Sequence, residues 1–234
     1  MSAKYKSPSF LLPNELNTDT NPSLSADRAS MYSMNFDGSQ HIEIGSSIDV
    51  TGNTSFSCWF KANNTTQFGT VLDINSSSTT NKIWTGLYQG KIWAYTGTGN
   101  SVKTTTNYLA NTWYNIIVIK TSSASISHIY VNGFAETLIS DNGTFGVLTT
   151  GGRIGNQISY SSYFNGSIDE VAIFNRVLNT TEIAALYGGT SPNIYPSNLM
   201  ASNLNPVAYY PLGEQAQNTG YLDPSNPGSD ISGS

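Results

Sequence analysis

Between Phe164 and Gly189 the chain reads FNGSIDEVAIFNRVLNTTEIAALYGG, and this stretch narrows the possible folds more than any other. Gly166 to Phe174 is an apolar run rich in Ile, Val and Phe, broken only by Asp169 and Glu170. Its length and make-up are those of a strand packed on both faces. Asn179 then stands three residues before Glu182, the spacing at which an N-cap side chain and a glutamate satisfy each other's backbone amides. Ile183, Leu186 and Tyr187 follow at helical spacing, and Gly188 supplies the left-handed stop. A short helix with one apolar face is therefore predicted near 180–187, directly after a buried strand, in a chain that is otherwise strand-like.

Composition agrees with a strand- and turn-rich protein. Charged residues make up 11% of the 234 residues and aromatics 12%, with 14 Tyr, and Asn, Ser, Thr and Gly fill most of the rest. The net charge of −5 comes with no basic cluster, so the electrostatic footprint of a nucleic-acid binder is absent. Cys58 is the only cysteine, which excludes an intramolecular disulfide and fits a small buried hydrophobe. The amino terminus lacks an apolar segment of about 7 to 15 residues, and no run approaches the ~18 apolar residues of a membrane span. The expectation is a chain made in the cytosol without a signal peptide and with no membrane insertion.

Taken in order, residues 1–30 carry Pro8, Pro13 and Pro22 and read as an extended N-terminal arm. Met34 and Phe36 alternate with polar residues up to Asp37-Gly38, and Ile42 and Ile44 resume the alternation, which predicts a hairpin. Phe56–Phe60 and Thr70–Ile74 are strand-sized; Ile83–Tyr88 and Lys91–Tyr95 face each other across Gln89-Gly90. Tyr114–Lys120 is nearly unbroken apolar sequence, as a central covered strand requires. Asn132-Gly133 between Ile129–Val131 and Phe134–Leu138 is a strong type I′ hairpin signal.

These phrases resemble a known family. MNFDG followed by HIEI, WYNIIVIK followed by IYVNG, and the closing IDEVAIFNRVL…TEIAALY are similar to ordered motifs of laminin-G-like domains in the concanavalin A-like lectin/glucanase superfamily. The resemblance covers about 31–187 and implies an all-β, antiparallel jelly-roll β-sandwich with one short C-terminal helix. Around that domain, 188–205 reads as a linker and 206–234 as a C-terminal strand and tail. Val207, Ala208, Tyr209 and Tyr210 lie in VAYYPLGE, which resembles the phrase with which such modules often begin, yet here it comes last. Three readings are open: the strand folds back in cis, it adds to the sheet edge of a neighbouring copy, or it is the remnant of a tandem array.

Candidate sites are few. The superfamily's glucanases carry a cluster of the type E-[ILV]-D-x-x-E, which is missing; Asp169 and Glu170 are adjacent, so strand alternation would send them to opposite faces. His41 and His128 are the only histidines, and neither has a Cys, Asp or second His at ligand spacing. No enzyme activity and no required cofactor are expected. The resemblance implies at most a structural calcium near the opening and closing strands, with Asp37 and Asp169 as the matching carboxylates; the alternative is that each serves a local turn or backbone bond. Glycan binding would need aromatic platforms beside amides and carboxylates. Trp84, Trp93 and Tyr95 are candidates with a competing core role, and Tyr160 and Tyr163, amid Asn and Gln, make the better exposed patch. The resemblance places Trp59 and Trp113 in the core.

Two functions follow from this. The first is a structural or adhesive component of a virion or other extracellular assembly, its partners other copies of itself or other virion proteins. Phrases like these, including the VAYYPLGE ending, recur in phage and marine bacterial surface proteins, and the arms suit such assembly. The second is a free carbohydrate-binding lectin for a cell-surface glycan.

Overall fold

The computed structural model describes residues 33–44, 48–75, 82–96, 101–121, 125–141, 151–157, 162–188, 204–210 and 212. The expected arm at 1–30, nearly all of the 188–205 linker, the tail beyond Leu212 and Tyr160 lie outside the described residues. Fourteen strands and one helix are described. They are β1 (Met34–Asp37), β2 (Ile42–Glu43), β3 (Thr54–Ala62), β4 (Gly69–Asn75), β5 (Lys82–Tyr88), β6 (Lys91–Tyr95), β7 (Ser101–Thr104), β8 (Trp113–Thr121), β9 (Ser125–Val131), β10 (Phe134–Ala135), β11 (Leu138–Asp141), β12 (Gly151–Ile154), β13 (Asn165–Phe174), α1 (Thr180–Tyr187) and β14 (Ala208–Tyr210).

Alternating side chains sort these strands into two antiparallel sheets. The back sheet runs β1-β13-β3-β8-β9-β10, with β14 also on β13; the front sheet runs β11-β7-β6-β5-β4-β12-β2. One side of each strand meets between the sheets: Phe56, Cys58 and Phe60 from β3, Ile116 and Val118 from β8, Leu72 and Ile74 from β4, Ile83 and Leu87 from β5. Cys58 is a free, buried thiol in this layer, and burial raises its pKa well above the usual range. The back sheet's outer side is covered too. Ile117, Ile119, Ala172 and Phe174 pack there against Ile183 and Leu186 of α1, while Tyr187 stacks on Trp59 at 5.9 Å. That second layer explains why β8 and β13 read as continuous apolar runs.

The stretch 164–189 folds as its sequence predicts. Asn179 accepts from the Glu182 amide, Glu182 Oε2 accepts from the Asn179 amide at 2.8 Å, and Gly188 ends the helix at φ 58°. Both sharp turns are also present: Gln89 and Gly90 have φ of 50° and 74°, Asn132 and Gly133 of 52° and 80°.

Two expectations are corrected. Met34–Asp37 and Ile42–Glu43 do not form a hairpin: β1 pairs with β13 in the back sheet and β2 with β12 in the front one. The Asp37 carboxylate accepts from the Ser39 amide and hydroxyl at 2.8 and 2.6 Å, and the chain turns there through Gly38 (φ 89°) and crosses between sheets. Nor do Asp169 and Glu170 face opposite ways. Between Asp169↔Trp59 and Ala172↔Ser57, β13 uses three residues where β3 uses two, and Glu170 takes φ 52°. This bulge absorbs Glu170, so that Val171 rather than a carboxylate enters the core, and Glu170 Oε2 accepts from the Tyr209 hydroxyl on the helix side.

The cap predicts a pH response. The Arg176 guanidinium at 2.8 Å and the Asn179 amide lower the Glu182 pKa against a smaller opposing effect of burial. A depressed carboxyl lends stability that is complete above its unfolded pKa of about 4.3 and is lost as pH falls through the lower folded value. Urea denaturation from pH 6 to pH 2.5 should therefore show, in Glu182→Gln, a shallower loss of stability at the acid end than in the parent protein.

Candidate functional site

Among the described residues, the outer side of the front sheet brings the candidates Trp84, Trp93 and Tyr95 together. Register sets its side chains in rows. Arg153, Asp73, Trp84 and Tyr95 are successive partners across β12, β4, β5 and β6, and Glu43 precedes Arg153 from β2. In the next row Thr70 lies opposite Gly86, Gly86 opposite Trp93, and Trp93 opposite Lys103. Gly86 makes the arrangement possible, because a Cβ there would lie 2.7 Å from the Trp84 ring and 2.6 Å from the Gly69 carbonyl. The indole lies across the glycine and stacks on Phe68 at 5.1 Å and 14°.

Trp84, Trp93 and Tyr95 form an aromatic cluster on this side of the sheet. As platforms in open contact with solvent they are a correction: they are 0%, 6% and 2% exposed. They build the floor of the face. Its accessible rings stand at the margins. At one end Phe68 and Tyr88 are half-buried and lie 5.2 Å apart, with Tyr88 6.2 Å from Trp93 and the Lys103 ammonium 4.5 Å above Trp93. At the other, half-buried Tyr163 lies 6.2 Å from the His41 ring. Beside it His41 Nε2 is 3.0 Å and Arg153 Nη2 2.8 Å from Glu43 Oε1. The two groups of candidates are joined: the Trp84 Nε1–H donates to Thr70 Oγ1 at 3.0 Å, and Thr70 shares a hydrogen bond with the Ser162 hydroxyl at 2.8 Å, next to Tyr163.

Electrostatics beneath this face are unusual. Lys82 Nζ and Asp73 Oδ1 are 3.2 Å apart with side chains 1% and 0% exposed. Burial lowers the Lys82 pKa, and the neighbouring Asp73 charge partly restores it. At the rim, burial pushes the Glu43 carboxyl upward, but bonds from Arg153 and His41 prevail and hold it below the usual range.

The carboxylates proposed for calcium are not brought together. Asp37 pairs with Asn165, four residues before Asp169 on β13, a separation of about 13 Å at strand rise. Asp37 is engaged by Ser39, and Asp169 accepts from the Glu170 amide at 2.9 Å. Among the described residues no group of three or more His, Cys, Asp or Glu has metal-holding geometry. Of the expected assembly residues, Ala208–Tyr210 form β14, which pairs with β13 of its own chain, Ala208 opposite Ile173 and Tyr210 opposite Val171, and the Val207 amide just before it donates to the Ile173 carbonyl at 2.7 Å. Trp59 is core, as the resemblance implies, whereas Trp113 is half-buried beneath the Lys61 ammonium at 5.2 Å. Phe68, Tyr88 and Lys103 were not foreseen, although Trp84, Gly86 and Tyr88 alternate on one strand and so share a face.

Two packed sheets with a polar-rimmed aromatic face define a lectin-like β-sandwich. The chain belongs to the concanavalin A-like lectin/glucanases superfamily, whose laminin-G profile matches residues 36–184. Among solved structures, it is similar to a candidate carbohydrate-binding protein from Bacteroides ovatus (TM-score 0.54, 14% identity), covering 79% of this chain and 52% of that one, so it spans about half that protein's length. It is also similar to a SAP-like pentraxin from Limulus polyphemus (TM-score 0.51, 12% identity; 80% and 92% covered). Laminin α1 domains LG4-5 from mouse match at TM-score 0.45 and 16% identity, over 62% of this chain and 41% of that one. A comparison with curated proteins returns no match.

The buried ion pair gives a test of the floor. Lys82→Met removes the cation beside Asp73 and should cost about 3–5 kcal/mol in urea denaturation, while Lys82→Met combined with Asp73→Leu should recover most of that loss.

Proposed function

We propose that this chain is a non-enzymatic adhesive protein whose front-sheet face binds glycan. The observation that carries the reading is the pair of accessible aromatic margins, Phe68 with Tyr88 and Tyr163 with His41, each flanked by charged or amide groups. Pyranose faces are apolar and stack on rings, while their hydroxyls need directional partners such as Glu43, Arg153 and Gln89. The likeness to a candidate carbohydrate-binding protein supports the same ligand class. A non-catalytic role is supported by where the acidic neighbours go: Asp169 and Glu170 are buried on the helix side, in the other sheet from this face. No cofactor is required in this reading.

A second reading, a structural part of a virion or other extracellular assembly, is favoured by β14. This late strand completes an edge of β13, and the same backbone pairing is available between copies. Deleting 206–234 would then abolish higher-order assembly in light scattering; a deletion protein that assembles normally would remove this reading.

For glycan binding, the intact protein should give saturable binding on an oligosaccharide array. Tyr88→Ala or Tyr163→Ala should weaken it about tenfold, the loss of one stacking contact, with the melting temperature little changed. Equal binding by parent and both variants would count against the face, and absence of binding by the parent against the ligand class.

A further inference from the structure

Among the described residues, the outer side of the front sheet carries four Lys and Arg side chains, and three of them have a carboxylate within the chain. Lys82 Nζ is 3.2 Å from Asp73 Oδ1, Lys103 Nζ 2.7 Å from Asp141 Oδ2 and Arg153 Nη2 2.8 Å from Glu43 Oε1. The fourth is Lys91. Ile92 and Ala94 of β6 enter the core, so Lys91 shares the outer side with Trp93 and Tyr95. Its ammonium donates to the Thr105 carbonyl, a neutral group, at 2.7 Å, and among the described residues no carboxylate forms an ion pair with it. An ammonium has three donors, and that carbonyl engages one. The position of Lys91 matters as much as its pairing. It is the register partner of Tyr88 across the Gln89-Gly90 turn, both side chains are half-buried, and the Tyr88 ring lies 5.2 Å from Phe68 and 6.2 Å from Trp93. Two carboxylates on the neighbouring segment are engaged elsewhere, Asp141 by Lys103 and Glu136 by the Thr106 hydroxyl at 2.6 Å.

We propose that the Tyr88 margin takes an acidic sugar, whose ring stacks on Tyr88 while its carboxylate or sulfate group accepts from the Lys91 ammonium. The inference rests on the glycan-binding reading and narrows it from sugars at large to charged ones. A ring contact alone does not make that distinction, because neutral and acidic pyranoses both have an apolar face. A charge-assisted hydrogen bond is roughly twice as strong as a neutral one, so a neutral analogue that leaves Lys91 to water forgoes the difference. The ligand's negative group would thus do for Lys91 what Asp73, Asp141 and Glu43 do for the other three cations. The chain's net charge of −5 opposes the approach of an acidic ligand, so the attraction is local and is screened by salt.

The measurement is binding of the full chain to an array of matched neutral, uronic-acid and O-sulfated oligosaccharides, at low and at high salt. Expected is tighter binding of at least one acidic set than of its neutral counterpart, with the advantage reduced by salt. Lys91→Gln should lose about tenfold on the acidic sugars and little on the neutral ones, with its melting temperature close to that of the parent. Tyr88→Ala should weaken both sets, and Lys91→Arg, which keeps the charge, should retain the preference. Lys61→Gln removes the same unit of charge from the back sheet, where Lys61 lies over Trp113, and should leave the preference intact. An equal loss in Lys61→Gln would assign the preference to net charge and overturn the inference. A parent that binds neutral sugars as tightly as acidic ones, or a Lys91→Gln variant weakened equally on both, would overturn it too and leave the glycan reading standing. A parent that binds no sugar would remove both.

Discussion

Strand β13 is bonded along both edges and buried on both faces, and the rest of the sandwich is located by that constraint. β3 takes one edge, while β1 and β14 share the other, at Asn165–Ile168 and Val171–Ile173 respectively. A strand so enclosed has no solvent side on which to place a charge, yet this one carries two consecutive carboxylates. The bulge resolves the conflict. By adding one residue at Glu170 it returns Val171 and Ile173 to the layer between the sheets and sends Ala172 and Phe174 toward α1. Without it, every side chain from Glu170 onward would be on the wrong face. Gly166 supports the same strand at its start, since a Cβ there would lie 2.1 Å from the Lys61 carbonyl.

The front sheet meets the opposite problem, an outer side rich in Trp and Tyr that is almost fully withdrawn from water. Stacking and one hydroxyl chain stabilise it: Phe68 on Trp84, Tyr88 against Trp93, and the indole of Trp84 through Thr70 to Ser162. The buried Asp73–Lys82 pair is expected to add little net stability of its own, because desolvation offsets most of the attraction in such pairs. Around this floor the half-buried rings stand at the two margins, Phe68 with Tyr88 at one and Tyr163 with His41 at the other.

How much of this was legible follows from the range of each interaction. The capping box at Asn179 and Glu182, the Gly188 stop and the turns at Gln89-Gly90 and Asn132-Gly133 are local, and sequence spacing alone places them. The hairpin expected at Asp37-Gly38 failed because alternation states which face a residue takes but not which sheet its strand joins. β1 and β2 have the right period and different partners. The opposite facing of Asp169 and Glu170 failed for a related reason, since a bulge is a mismatch with a distant strand and leaves no local mark beyond an unremarkable Glu at φ 52°. Of the aromatic candidates, Trp84, Trp93 and Tyr95 share a face as their spacing required. Their depth did not follow from spacing, because Phe68 and the Ser162 segment reach them from 14 or more positions away in sequence.

The two regions singled out for function lie on different sheets, and this bears on how they would work together. The aromatic face belongs to the front sheet, whereas β14 sits on an edge of the back sheet, against Val171–Ile173. Copies joined through the back-sheet edge would keep every front face unobstructed. A single stacked ring with a few hydrogen bonds gives weak sugar affinity, but linked faces turn each later contact into an intramolecular one, and avidity exceeds the single-site affinity by orders of magnitude where the spacing of the faces matches the glycan. Weak sites repeated on an assembly are thus sufficient for adhesion. Were both proposed roles to hold, the separation of edge from face would let one sandwich serve them without either contact occluding the other.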